Sequence, residues 1–280
     1  MAHKQIVELD RTPAESAWRR RIMRFASEYG PFALAMVLII AAWEAGVRLL
    51  AVPDYVLPAP SAIGAAMVTR WEVLVFHAGF TLSETLLGFS LGMAVGFPLA
   101  IAIVYSRLVE KTIYTFLVSF QAVPKVALAP LLVAWFGFSQ TPKVIVAFLI
   151  CFFPIVVSTE VGLRSMPVEM FHLARSLGAS EWETFWKFRL PHGLPSIFGG
   201  LKIAISLAVI GAVIGEFVAG HNGLGYYGGL VAAVLQTPTV YASLVLLSMI
   251  GIVLFYIVVA IESWVVHWVP SRQIEQVQQI

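Results

Sequence analysis

Apolar residues gather in six long runs, about 32–50, 81–105, 113–136, 144–162, 196–218 and 241–264. A helix needs about 20 such residues to cross the hydrocarbon core of a bilayer. Inside a bilayer only helices and closed barrels satisfy their own backbone. Runs of this length read as spanning helices, so the expected fold is an all-α integral membrane protein with about six transmembrane helices. The 280 residues are 59% hydrophobic and 12% charged, against about 45–50% and 25% in soluble domains, which excludes an ordinary globular protein.

The basic residues give the expected orientation. Lys4, Arg11, Arg19, Arg20, Arg21 and Arg24 precede the first run, and Arg164, Arg175, Lys187 and Arg189 lie between the fourth and fifth. The intervening outer loops hold few, such as Arg70 and Lys143. A lysine and arginine excess marks the cytoplasmic side. Residues 1–30 then form a basic cytoplasmic arm, 31–268 a transmembrane domain with a cytoplasmic loop at 164–195, and 269–280 a cytoplasmic tail. The first 24 residues are polar, unlike a cleavable signal peptide. WRRRIMRF (18–25) reads as an arm lying on lipid headgroups rather than a nucleic-acid site.

Within the loop, HLARSLGASEWETFWKFRLP (172–191) is polar enough to live in water. It reads as two short helices around Gly178, a residue that tolerates φ > 0. Ser180 is placed to cap the second helix, with Glu181 and Glu183 in its first turn, and Pro191 is expected to end it. Trp182, Phe185, Trp186 and Arg189 share one face at helical spacing. Such a knob is offered to a partner or lies on the bilayer.

Polar residues inside the runs are few. Glu44 is spaced to pair with Arg48, and Glu160 with Arg164. Ser61 is expected to cap an outer helix reaching about Phe76. Gly88, Gly92 and Gly96 recur every four residues, a close-packing stripe for another helix or a second copy of the chain. Pro124 and Pro130 are expected to break the third run, with Lys125 between them as a candidate lining of a pathway. GFSQTPK (137–143) is expected to be an outer turn. Residues 221–239 are also placed outside. Glu216, before the glycine-rich GHNGLGYYGG, is expected to orient that loop or to meet a solute, the former preferred.

No GxxxxGK[ST] phosphate loop, HExxH pair or GxSxG elbow is present. The six histidines are scattered and Cys151 stands alone, so neither a metal site nor a disulfide framework is expected. The chain reads as non-catalytic, with no cofactor of its own.

The 172–191 segment resembles the cytoplasmic coupling loop of permease subunits of binding-protein-dependent ABC importers. Their pattern is Glu-Ala-Ala, three residues, Gly, nine residues, Ile, one residue, Leu-Pro. This chain supplies Ala174, Gly178, Leu190 and Pro191, and departs at His172, Leu173 and Phe188. VLPAPSAI (56–63), VPKVALAPLLVAWFG (123–137), GEFVAG (215–220) and GLGYYG (223–228) resemble the nitrate/sulfonate/taurine-type branch. The likeness covers about 55–265.

It implies a bacterial inner-membrane permease that forms a solute pathway. The implied partners are a second copy of itself, two cytoplasmic ATP-binding subunits that carry ATP and Mg, and an external or periplasmic solute-binding protein. His172, Ala174, Arg175, Gly178, Ala179, Trp182, Trp186, Lys187, Leu190 and Pro191 would form the coupling site. Pro124, Lys125, Pro130, Glu160 and Glu216 are the pathway candidates. The resemblance implies a small anion such as a sulfonate, nitrate or bicarbonate, which Lys125 mildly favours. An aromatic or pyrimidine-type solute, such as a thiamine or riboflavin precursor or an aromatic carboxylate, is the close alternative. A different class, an ion-gradient-driven secondary transporter, would need coupling-ion groups at mid-membrane and often an inverted repeat. Only Lys125, Glu160 and Glu216 are candidates for the former, and no repeat is evident.

Overall fold

The computed structural model describes the backbone of residues 13–268 and the side chains from residue 30 onward, Val118 excepted. The tail at 269–280 and residues 1–12 of the basic arm lie outside the described residues. The architecture is helical: α1 (Pro13–Leu49), α2 (Pro60–Thr69), α3 (Trp71–Tyr105), α4 (Arg107–Gln121), α5 (Lys125–Phe136), α6 (Gln140–Arg164), α7 (Val168–Ser176), α8 (Glu181–Ala219), α9 (Leu224–Ala233) and α10 (Thr237–Val265). Among the described residues five helices are long and apolar enough to cross a membrane, and a sixth crossing exists if α4 and α5 together make one.

The described residues fall into two compact units, divided between Ile63 and Gly64. In the first, α1 is one helix of 37 residues, and its apolar positions Leu34, Val37, Leu38 and Ile39 are exposed, as a lipid-facing span requires. Glu44 accepts from Arg48 Nε at 2.6 Å, the expected pair, and also from the Ser61 backbone N–H at 3.0 Å and Ser61 Oγ at 2.8 Å. Ser61 therefore does not cap: its hydroxyl donates to Glu44, and α2 starts one residue earlier and stops at Thr69. A turn at Arg70 separates it from α3.

In the second unit α6 is held between α3 and α8. Lipid supplies no hydrophobic drive for helix association, so close approach and dispersion must do the work. The glycine stripe provides the approach. A Cβ on Gly88 would stand 2.5 Å from Ala147 Cβ, one on Gly92 3.0 Å from Cys151 Sγ, and one on Gly96 3.2 Å from Ile155. From the other side, Gly211 and Gly215 of α8 each bring a would-be Cβ to 2.6 Å from the backbone of Ala147 and Lys143. The stripe packs within the chain, on α6, not on a second copy. Val146, Ala147, Cys151, Ile155 and Val156 are buried in consequence.

Three boundaries differ from those read in the sequence. α3 begins at Trp71, ten residues before the apolar run, because Leu74, His77, Thr81 and Glu84 share one buried face. The outer turn is only Gly137 to Ser139; Ser139 caps α6, and Lys143 lies in that helix, 4% exposed. Residues 221–239 contain the helix α9, whose Leu224, Tyr227 and Val231 are buried. The third run bends by 87° between α4 and α5, next to Pro124. Pro130 breaks nothing, since it stands in the first turn of a helical stretch (Ala129–Phe136), where its missing N–H is not needed.

Candidate functional site

The knob is built as follows. α7 ends at Ser176, Leu177 caps it, and Gly178 takes φ +72°. The Gly178 N–H donates to Arg175 O and the Ala179 N–H to Ala174 O, both at 3.0 Å. These two bonds are the Schellman turn, which satisfies the last carbonyls of a helix. Ala174 is fully buried and Ala179 half-buried at this turn.

α8 opens with a capping box. Ser180 Oγ accepts from the Glu183 N–H at 3.2 Å, and Glu183 Oε2 accepts from the Ser180 N–H at 3.1 Å. Lys187 pairs with Glu183 at 2.9 Å. The helix then widens into a π-turn over Phe185–Arg189 and continues through Leu190 to Ala219. Pro191 does not end it. A proline removes an N–H and crowds the carbonyl one turn back; the wider turn precedes it and the helix passes through. Knob and span are one helix of 39 residues.

The shared face divides. Phe185 is buried (4%) beside Tyr105 of α3, ring centroids 6.1 Å apart, and the Arg189 guanidinium lies 5.1 Å over the same Tyr105 ring. Trp182 and Trp186 stay 69% and 48% exposed, packed edge-on to each other at 5.5 Å. His172, Arg175 and Lys187 are exposed, and Leu190 and Pro191 are half-buried. Leu173 and Leu177, not singled out in the sequence, add exposed apolar surface. A cleft of about 200 Å³ beside the knob is lined by Leu163, Arg164, Met166, Val168, Phe171 and Arg189.

The pathway candidates are not brought together. Glu160 pairs with Arg164 at 3.0 Å, and Arg164 also reaches Glu110 at 2.9 Å, at the knob end of α6. Lys125 Nζ donates to Gln121 Oε1 at 2.8 Å, bridging the α4–α5 bend at Pro124. Glu216 is fully buried at the far end of α8, where it accepts from Thr81 Oγ1 at 2.6 Å and from the Gly225 N–H. It orients the glycine-rich loop, the role preferred above.

Two buried lysine–glutamate contacts escaped the sequence reading. Lys143 and Glu84 meet at 2.8 Å with side chains 5% and 0% exposed, and Lys202 and Glu262 at 2.9 Å with both 5% exposed. A signal was present, because an ionisable residue inside an apolar run always needs a partner. The partners lie 59 and 60 positions apart, which no local pattern reveals.

Residues 88–268 match the family of binding-protein-dependent transport system inner membrane components. The chain is 34% identical to the riboflavin transport system permease protein RibX of Chloroflexus aurantiacus, over 90% of this chain and 95% of that one. It is 35% identical to the formylaminopyrimidine transport permease protein ThiX of Halalkalibacterium halodurans, over 84% and 94%. With the taurine transport system permease protein TauC of Escherichia coli it shares 26%, over 78% and 82%. Its fold matches a chain of an inward-facing MetNI methionine ABC transporter with a TM-score of 0.60 at 20% identity, covering 71% of this chain and 97% of that one. The match over most of the helical domain, together with the helices long enough to span a bilayer, leads to one assignment: the chain belongs to the inner-membrane permease subunits of binding-protein-dependent ABC importers.

Proposed function

We propose that this permease takes up the motion of a cytoplasmic ATP-binding subunit through the 172–191 knob and opens a solute pathway between its spans. The observation that carries this is the continuity of α8. Trp182 and Trp186 stand exposed on the helix that then crosses the apolar layer without a joint. Two copies of the permease, two ATP-binding subunits and an external solute-binding protein make up the proposed assembly. ATP binding closes the ATPase pair and displaces both knobs. The solute follows because the two states of the pathway differ in affinity for it. Arg175, Trp182, Trp186 and Lys187 supply the contact. Family membership sets aside the gradient-driven carrier.

For the solute, a nitrogen-containing heteroaromatic compound is favoured, since relatives named for riboflavin and formylaminopyrimidine reach 34% and 35% identity. The anion reading keeps support from relatives named for sulfonates and taurine, at 26% to 28% identity. Lys125 keeps its positive charge beside the neutral Gln121 amide and still mildly favours an anion.

The test is affinity purification of the tagged permease from detergent-solubilised native membranes. The ATP-binding subunit should co-purify with the wild type. Trp182→Ala with Trp186→Ala should lower its recovery by about tenfold or more, as loss of interface aromatics does. Unchanged recovery places the dock elsewhere. Thermal shifts of the co-purified solute-binding protein with riboflavin, an aminopyrimidine and an aliphatic sulfonate then separate the two solute classes.

A further inference from the structure

The far end of the bundle holds three ionisable side chains in one buried cluster. Glu84 of α3 and Glu216 of α8 are fully buried, and Lys143 of α6 is 4% exposed. Lys143 Nζ donates to Glu84 Oε1 at 2.8 Å and to the Asn222 carbonyl at 2.9 Å. Glu216 receives the Thr81 hydroxyl and the Gly225 N–H. Thr81 Oγ1 in turn accepts the Leu224 N–H at 2.9 Å, and His77 Nδ1 accepts the Gly223 N–H at 3.1 Å. Four successive residues, 222–225, are thus tied by backbone groups to side chains of three helices.

The charges in this cluster do not balance. One ammonium faces two carboxyls, and a buried charge without a counter-charge is far costlier than a buried neutral group. The hydrogen bonds do not balance either. Glu84 Oε2 is buried and receives no donor. Glu84 lies one turn along α3 from Thr81, whose hydroxyl the Glu216 carboxylate accepts. Two carboxylates are both acceptors and meet only with a proton between them.

We propose that this cluster is a proton-binding site: Glu84 carries one proton at neutral pH, donates it to the Glu216 carboxylate, and so keeps the 222–225 loop pinned. With Lys143 positive, Glu216 negative and Glu84 neutral, the sum is zero and the orphan oxygen is satisfied. Other titratable groups around the site are His77 of α3, which accepts at Nδ1 and stacks on Tyr227 of α9 at 4.9 Å, and Tyr226, whose ring centroid is 6.1 Å from that of His77. His77 accepting at Nδ1 leaves it no proton there and no charge to supply. When the proton leaves, two like charges remain against one ammonium, and the Glu216 carboxylate is pushed from the Gly225 N–H it holds. The loop is therefore held below the proton's release and freed above it, with opening rising by up to about tenfold per pH unit.

The proposal stands apart from the importer reading and is tested on the full chain alone. Infrared difference spectra of the detergent-solubilised protein, wild type minus Glu84→Gln, are expected to show a protonated carboxylic acid at pH 7. Glutamine keeps the neutral group and a donor toward Glu216, so Glu84→Gln should fold and hold the loop at all pH values. Amide hydrogen exchange of residues 222–225, as the ratio of wild type to Glu84→Gln at equal pH, should rise with pH. That ratio cancels the intrinsic base catalysis of exchange. A flat ratio, or a difference spectrum without the acid band, overturns the proposal. Should Glu84→Gln fail to fold, the wild-type spectrum decides by itself, since absence of a protonated carboxyl at pH 7 is incompatible with the site.

Discussion

Gly178 shows how much one residue carries. Its φ of +72° is a backbone state that costs an L-residue about 1–2 kcal/mol, less for asparagine. Nothing lies within 4 Å of a Cβ built there, so space is not the issue. Gly178→Val should therefore distort the Schellman turn, while Gly178→Asn should largely keep it. In proteoliposomes holding the whole transporter, ATP hydrolysed per solute imported should rise severalfold for the valine variant and stay near wild type for asparagine. Equal values would show that the turn does not transmit the stroke. This residue was legible in the sequence because its signal is local: a glycine followed by a cap residue and acids. Lys143 was not, since the loop-like GFSQTPK around it conceals a helix start, and the partner that buries it stands 59 residues away.

At the scale of elements, α6 depends on small neighbours. Gly88→Leu inserts side-chain atoms where a Cβ already approaches Ala147 Cβ at 2.5 Å, an overpacking worth about 1–3 kcal/mol. Gly199→Leu is the control, with nothing within 4 Å. Thermal unfolding in detergent should fall for the first and hold for the second. The stripe was visible in the sequence at its period of four, but a period names a face and not what covers it, so the partner helix waited for the structure. The Lys202–Glu262 pair joins α8 to α10. Lys202→Met leaves Glu262 buried without a counter-charge, at about 3–5 kcal/mol. Lys202→Met with Glu262→Leu should recover most of that loss in the same unfolding assay. No recovery would mean the site needs the charges themselves.

For the whole molecule, the bent pair decides which side each terminus lies on. Five helices plus one crossing made of α4 and α5 put both termini on one side; a re-entrant pair puts them on opposite sides. The charge bias predicts the cytoplasmic side for both. Epitope tags at each terminus, exposed to protease in sealed right-side-out vesicles, should both survive. Digestion of one tag would make α4–α5 re-entrant. The five long helices were legible because apolar length is a direct requirement of the bilayer. The 87° bend was legible only as a proline, since Pro124 and Pro130 look alike in sequence and differ in whether a helix starts just before them.

The jointless α8 has a consequence for anyone exchanging parts between permeases. A chimaera meant to accept a foreign ATPase would naturally be cut at Pro191, where sequence suggests an ending. That cut falls inside a continuous helix, just past its π-turn, and would alter the angular phase between the knob and the pathway face. The clean junction is Gly178, where the backbone reverses and nothing crowds the turn. With the docking role proposed for the knob, partner choice and solute pathway are inherited together on one helix. A graft of α7 alone leaves the tryptophans behind, and a graft of the tryptophans takes the span with them.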